Sequence, residues 1–279
     1  TQIIIMRSSA IIYPSFSLTP YIKYYWILKT DEIDPIKIQT IPSGCIHLVF
    51  HRGNNLSFDS KGSQPKNFIR GQLSTAGTLI SKGDIDMIAV VFQPLGMIPF
   101  FTSSMNELYN RYIDVEDLED AGLNNLKNFI SGEVQTSVCI QQIESFLLKR
   151  LSAIDYNYKR IFSSIQLIVN EPEVDVDSLA QNACLGYRHF KRVFSDLVGV
   201  SPKVYYRIIR FQRALYTLQN SPHIELTQLA YICGYYDHSH LVKDFKAFSN
   251  CSPTQYLSIR IPYSTFFSKD CKLNLIKKR

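Results

Sequence analysis

"LAQNACLGYRHFKRVFSDLVGVSPKVYY" occupies residues 179–206, and "LAYICGYYDHSHLVKDFKAFSNCSPTQYL" occupies residues 229–257. The two stretches repeat one pattern. In the first, Asp175 is placed to cap a short helix carrying Val176, Leu179, Ala180 and Ala183, and "CLG" (residues 184–186) breaks the periodicity. A second helix is predicted from about Tyr187. Its apolar residues Phe190, Val193, Phe194 and Leu197 recur at i, i+3, i+4 and i+7, which fixes one buried face. Arg188, Lys191, Arg192 and Ser195 fall on the opposite face at the same spacing. Two helices joined by a tight turn, with the second basic on its free side, read as a helix-turn-helix. Ala180 is small where the two helices must cross.

The second stretch runs the same way. Leu226, Leu229 and Ala230 line a short helix, "GYYD" (residues 234–237) makes a longer turn, and Asp237 is placed to cap a helix starting at His238. Leu241, Phe245 and Phe248 point inward, while Ser239, Val242, Lys243 and Lys246 point outward. Each copy ends in Ser-Pro, at Pro202 and Pro253, where proline stops the helix. Gly199 and Asn250 occupy equivalent places, and both residue types tolerate the left-handed backbone that ends helices. Between the copies, Ile208, Phe211, Leu215 and Leu218 form a stripe, with Arg207, Arg210 and Arg213 adding charge. This predicts a linker helix of about 14 residues, roughly 21 Å long. Two reading helices about 34 Å apart meet successive major grooves on one side of a duplex.

Charge supports that reading. The 279-residue chain carries a net +6, but unevenly: residues 1–157 hold 13 Lys and Arg against 15 Asp and Glu, net −2, and residues 158–279 hold 17 against 9, net +8. A basic half joined to a near-neutral one fits a polyanion reader tethered to another domain. With 46% hydrophobic residues the composition is globular, and no apolar run reaches the roughly 20 residues of a membrane helix. "TQIIIMRSSAII" at the start does not read as a secretory signal. Cys45, Cys139, Cys184, Cys233, Cys251 and Cys271 show no paired spacing, and are expected to be reduced, buried thiols in a cytoplasm.

The first 100 residues read as mostly β. "YIKYYWILK" from Tyr21 alternates, with Ile22, Tyr24, Trp26 and Leu28 on one side and Lys23 and Lys29 on the other, which predicts a half-buried strand. "CIHLVFH" (residues 45–51) and "DMIAVVFQP" (residues 86–94) are further strands. Ser104 and Glu107 stand at capping-box spacing ahead of a helical stretch. Helices follow around 118–130 and 138–151, the second with Ile140, Ile143, Leu147 and Leu151 on one stripe, covering the domain's own sheet or a dimer partner. The expected fold class is therefore α+β: a β-rich N-terminal domain with flanking helices, then an all-α double helix-turn-helix domain. Expected boundaries are 1–157, 158–262, and a basic tail at 263–279.

The segment from Lys159 to Ile261 resembles the DNA-binding domain of the AraC/XylS transcription regulators, carried by both quoted stretches almost without gaps. The resemblance implies a bacterial transcription factor in which Arg188, Lys191 and Arg192, then His238, Ser239, Val242 and Lys243, contact bases and phosphates. It departs from the family at Gly186, a weaker cap than the usual Ser, and at Lys243 in place of Arg, which lacks the planar fork that matches guanine. "YPSFSLTPYIKYYWIL" (13–28), "IPSGCIHLVF" (41–50) and "VVFQPLGMIPFF" (90–101) resemble a β-rich domain of unassigned function found ahead of this DNA-binding unit, which implies a cupin-like sensory or regulatory domain.

Double-stranded DNA, RNA polymerase, a small-molecule effector and a second copy of the chain are the partners implied. The alternative is an effector-independent architectural DNA binder. Trp26, Cys45, His47 and His51 are the candidate effector residues, since a strand places Cys45, His47 and His51 on one face. His238 and His240 diverge around a helix and do not suggest a metal site. The chain shows no GxSxG elbow, Gly-rich phosphate loop or HExxH, so no enzyme, cofactor or metal is called for.

Overall fold

A computed structural model describes residues 8–258 except 31–36, 55, 59–61, 64, 82 and 103. The basic tail expected at 263–279, with Cys271, lies outside the described residues. Ten strands occur among those described: β1 (Ser8–Ile12), β2 (Ile22–Thr30), β3 (Lys37–Thr40), β4 (His47–His51), β5 (Leu56–Phe58), β6 (Gly62–Ser63), β7 (Asn67–Arg70), β8 (Gly77–Ser81), β9 (Ile85–Phe92) and β10 (Tyr112–Asp114). They form a six-stranded sheet in the order β1-β2-β9-β4-β7-β10 and a four-stranded sheet in the order β3-β8-β5-β6. Every pairing is antiparallel.

The large sheet is buried on both faces. Tyr24, Trp26, Leu28, Val49, Phe68, Met87 and Ala89 pack with Leu79 of the small sheet. On the other face, Tyr25, Ile27, Leu48, Phe50, Ile88 and Val90 pack against two helices, α1 (Ala121–Gly132) and α2 (Thr136–Arg150), through Leu123, Leu126, Ile140, Ile143 and Leu147. This corrects the half-buried strand expected at Tyr21. The β2–β9 register shifts between Ile22 and Tyr24, so Ile22 packs on the helical side, opposite Tyr24, Trp26 and Leu28. A bulge residue reverses the in–out alternation that a regular strand keeps. Leu151, expected on the α2 stripe, is the C-cap and is exposed. The capping box expected at Ser104 does not form: Met105–Leu108 is a single 3₁₀ turn, and the Ser104 side chain makes no capping bond.

The remainder of the described chain is helical: α3 (Tyr156–Asn170), α4 (Val176–Asn182), α5 (Tyr187–Val198), α6 (Pro202–Asn220), α7 (Leu226–Ile232), α8 (His238–Ser249) and α9 (Pro253–Ser258). Two apolar cores meet on α6. Tyr205 and Ile209 join the core of α3, α4 and α5, while Ile208, Phe211, Leu215 and Leu218 join that of α7, α8 and α9. At 19 residues α6 exceeds the expected linker, and spans about 28 Å. Its extra turn comes from Ser201, which accepts from the Val204 amide with Pro202 in the first turn, so the helix begins earlier than its stripe suggests.

The β-rich region touches both helical cores. Leu95 contributes to the first and Ile41 to the second. Gln212 Nε2 donates to the Pro42 carbonyl at 2.5 Å, and Gln39 Nε2 donates to the carbonyl of Ser249, the last residue of α8. Among the described residues, no helix is long and apolar enough to cross a membrane. Cys45, Cys139, Cys233 and Cys251 are buried, but Cys184 is exposed, contrary to the expectation of buried thiols throughout. It sits in the α4–α5 turn, where the chain faces outward.

Candidate nucleic-acid interface

Each helix-turn-helix unit is closed by the same backbone device. After α4, the Leu185 amide donates to the Ala180 carbonyl; after α7, the Tyr235 amide donates to the Ala230 carbonyl. Each turn contains one left-handed residue, Cys184 at φ 51 and Gly234 at φ 75. Gly234 is required twice over, because a Cβ there would lie 2.2 Å from the Pro172 carbonyl oxygen. Ala180 and Ala230 are both buried, which lets the helices cross closely. Asp175 accepts from the Ser178 amide at 2.8 Å, and Asp237 from the His240 amide at 2.7 Å. Gly186, ahead of α5, supplies no side-chain cap.

The inward faces are apolar. Phe190, Phe194, Leu241, Phe245 and Phe248 are fully buried, with Phe211 of α6 edge-on to Phe245. On the outward faces, Arg188, Lys191 and Arg192 of α5 are exposed and Ser195 is half-buried. On α8, His238, Ser239, Lys243 and Lys246 are exposed and Val242 is half-buried. None of these five cations forms an ion pair with a described residue. Lys191 lies over the Tyr187 ring, at 5.3 Å from its centroid. The exposed side of each second helix is thus cationic and rimmed by tyrosine, with Tyr187, Tyr231 and Tyr236 all exposed. Such a surface suits phosphates and base edges.

The arginines of the linker helix behave differently from expectation. Arg207 donates through Nε and Nη2 to Asp244 Oδ1 at 3.1 and 2.7 Å, and Arg210 Nη2 donates to Asp244 Oδ2 at 3.0 Å. Asp244 and Arg210 are buried. Arg210 also stacks on Tyr235 at 3.9 Å and donates to the Gly234 carbonyl at 3.1 Å. Arg213 donates to the Val169 carbonyl at 3.0 Å. These three charges fasten α6 to α3 and to the second unit rather than adding to the outward cationic face. A signal for this existed in the sequence: Asp244 interrupts the inward series Leu241, Phe245, Phe248 at i+3, where only a paired carboxylate is tolerated.

The candidate effector residues are not gathered in one place. Trp26 and His47 line a cavity between the two sheets, together with Gln39, Val49, Arg70 and Tyr112. Cys45 lines a separate cavity at the junction with α6, beside Lys23, Tyr205 and Arg213. His51 lines neither. It is buried, and burial, followed by the Lys66 charge, pulls its pKa down to about 4. Burial likewise holds His47 well below the ordinary histidine range, with Arg70 and Lys23 acting in the same direction. Among the described residues, no group of three His, Cys, Asp or Glu side chains is arranged to hold a metal. Arg70 is absent from the sequence reading: it meets His47 only through the β4–β7 register, which pairs the two residues directly.

Comparison with known proteins agrees with this geometry. Residues 179–259 match a family described as "Helix-turn-helix domain", and residues 10–114 match a "Domain of unknown function (DUF6597)". An uncharacterized HTH-type transcriptional regulator of Haemophilus influenzae is 25% identical over 154 residues, covering 54% of this chain and 51% of that protein. The HTH-type transcriptional activator RhaS of Escherichia coli is 27% identical over 141 residues, covering 48% of each. The chain spans about half the length of the curated relatives it matches. Among solved structures, ToxT from Vibrio cholerae is 14% identical, with 84% of this chain and 97% of that one covered at a TM-score of 0.44.

Proposed function

From a C-terminal half that carries an AraC-type double helix-turn-helix, behind a DUF6597 domain, we propose that the chain is a sequence-specific transcription regulator that reads two successive major grooves of double-stranded DNA. One observation carries the reading: α5 and α8 each bury an aromatic face in a helical core while their opposite faces hold exposed, unpaired cations. Buried faces fix the orientation of the helices, and exposed cations supply the counterion-release term that drives DNA association. Arg188, Lys191, Arg192 and Ser195 form the first contact set. His238, Ser239, Val242, Lys243 and Lys246 form the second. Residues 158–262 are the DNA-binding part and residues 1–157 the regulatory part. A ligand or partner at the regulatory part acts by favouring one arrangement of the two over another, and RNA polymerase and a second copy of the chain are the proteins such a regulator meets on DNA.

Selection of bound duplexes from a random pool by the full chain tests this. The expected result is a bipartite motif whose halves lie one helical turn apart, within about 20 base pairs, and whose affinity falls steeply with salt. Enrichment of one half only refutes two-groove reading; no enrichment at all refutes sequence-specific binding.

A further inference from the structure

The cavity between the two sheets holds a cation with no counter-charge among the described residues. Arg70 is 7% exposed, yet no carboxylate among the described residues lies within ion-pairing distance of it. Its Nη2 lies 2.8 and 3.0 Å from the two ring nitrogens of His47, and Tyr112 lines the same cavity. Its Nε has no partner. A guanidinium carries five donors and a fixed charge, and neutral acceptors leave both partly unmet. Lys23 adds a second positive potential at His47. Trp26, Val49, Phe68, Leu79, Met87 and Ala89 make most of the remaining lining apolar, with Gln39 and Thr40 as its polar members. A buried cation at one end of an apolar space is the arrangement that takes an anionic head and a hydrocarbon body. The free space is small, about 30 Å³, which admits only one or two water-sized groups before side chains move.

We propose that this cavity binds a small organic monocarboxylate, with Arg70 taking the carboxylate and the Trp26 face taking a chain of a few carbons. The binding claim stands on the cavity itself; its regulatory consequence rests on the function proposed above. That consequence has a short route. Gln39, which lines the cavity, donates to the Ser249 carbonyl at the end of α8, so a ligand that shifts β3 acts directly on the second reading helix.

Trp26 is the chain's single tryptophan, so its fluorescence reports on this cavity alone. Acetate, propionate and butyrate are titrated into the full chain at constant ionic strength, with propionamide as the neutral counterpart. A saturable change for a carboxylate, at least tenfold weaker or absent for the amide and lost in Arg70→Met, is the expected result. An equal response to amide and carboxylate, or no response to any, overturns the site. Should Arg70→Met fail to fold, the comparison of acid and amide on the native chain still decides. Affinity for the selected DNA is then measured with and without saturating carboxylate. Fluorescence binding without a change in DNA affinity leaves the site standing and removes its regulatory role. Carboxylate binding by a chain that selects no DNA leaves the site standing and removes the function proposed above.

Discussion

At the start of α5 stands Gly186, which offers no side-chain cap; at the start of α8 stands Asp237, whose carboxylate accepts from the His240 amide at 2.7 Å. Further along, α5 ends at Gly199 with φ 89, pressed against the Met105 carbonyl of the β-rich region, and α8 ends at Asn250 with φ 58. The inward face of α5 is purely apolar, whereas that of α8 includes Asp244, gripped by two arginines of α6. Two units of one plan are therefore held by different physics. The first is set by packing and leaves Arg188 and Arg192 exposed. The second is set by a buried ionic clamp and presents lysines and a histidine.

Asp244→Ala breaks this contrast with the largest effect. It leaves Arg210 as a buried cation without its counter-charge, which costs about 3–5 kcal/mol. Urea unfolding of the full chain is expected to show that loss, and DNA protection is expected to fail at the half-site read by α8 before the one read by α5. A loss below about 1 kcal/mol removes the clamp from the argument, since a screened surface pair contributes no more than that.

A paired measurement on DNA comes next. Arg192→Ala is expected to cost about 1–3 kcal/mol of affinity and to relax preference at one base position, as loss of a bidentate contact does. Lys243→Ala is expected to weaken binding almost evenly across sequences and to lower the salt slope by about one, as loss of a phosphate contact does. Identical profiles for both variants would erase the distinction between a specific and a supporting reader.

How much of this was legible beforehand follows the range of the interactions. The repeat, the inward stripes and the Asp175 and Asp237 caps depend on residues within one or two turns, and periodicity exposes them. Asp244 lies more than 30 residues from Arg207 and Arg210, so its inward position shows in the helical pattern but its partners do not until the α6–α8 packing brings them together. Arg70 is hidden for the same reason, because it reaches His47 across a strand pairing that no local pattern encodes. The face reversal at Ile22 is local, but a bulge leaves no mark in an alternating sequence that also alternates in aromatic residues. Of the four candidate effector residues, only Trp26 and His47 share a cavity, since Cys45 precedes β4 and lies where the chain turns toward α6.

Helix capping sharpens the comparison at smaller scale. Asp237→Ala removes the acceptor for the His240 amide and is expected to cost about 1 kcal/mol, seen as a lowered unfolding midpoint in urea.

Gly186→Ser runs the opposite way and has the smallest expected effect. Gly186 has φ −66 and ψ 147, a conformation open to any residue, and a Cβ there meets nothing within 4 Å. A serine hydroxyl at that position can accept from an amide in the first turn of α5, which the glycine leaves without a side-chain partner. It also reduces the freedom of the unfolded chain. The two effects together predict a gain of a few tenths of a kcal/mol, up to about 1, by urea unfolding. A gain in stability with unchanged DNA affinity means that α5 tolerates a weak cap because its packing already orients it. A gain in stability with weakened DNA binding means instead that the open surface at Gly186 is where the DNA backbone approaches, and that the missing cap belongs to the interface.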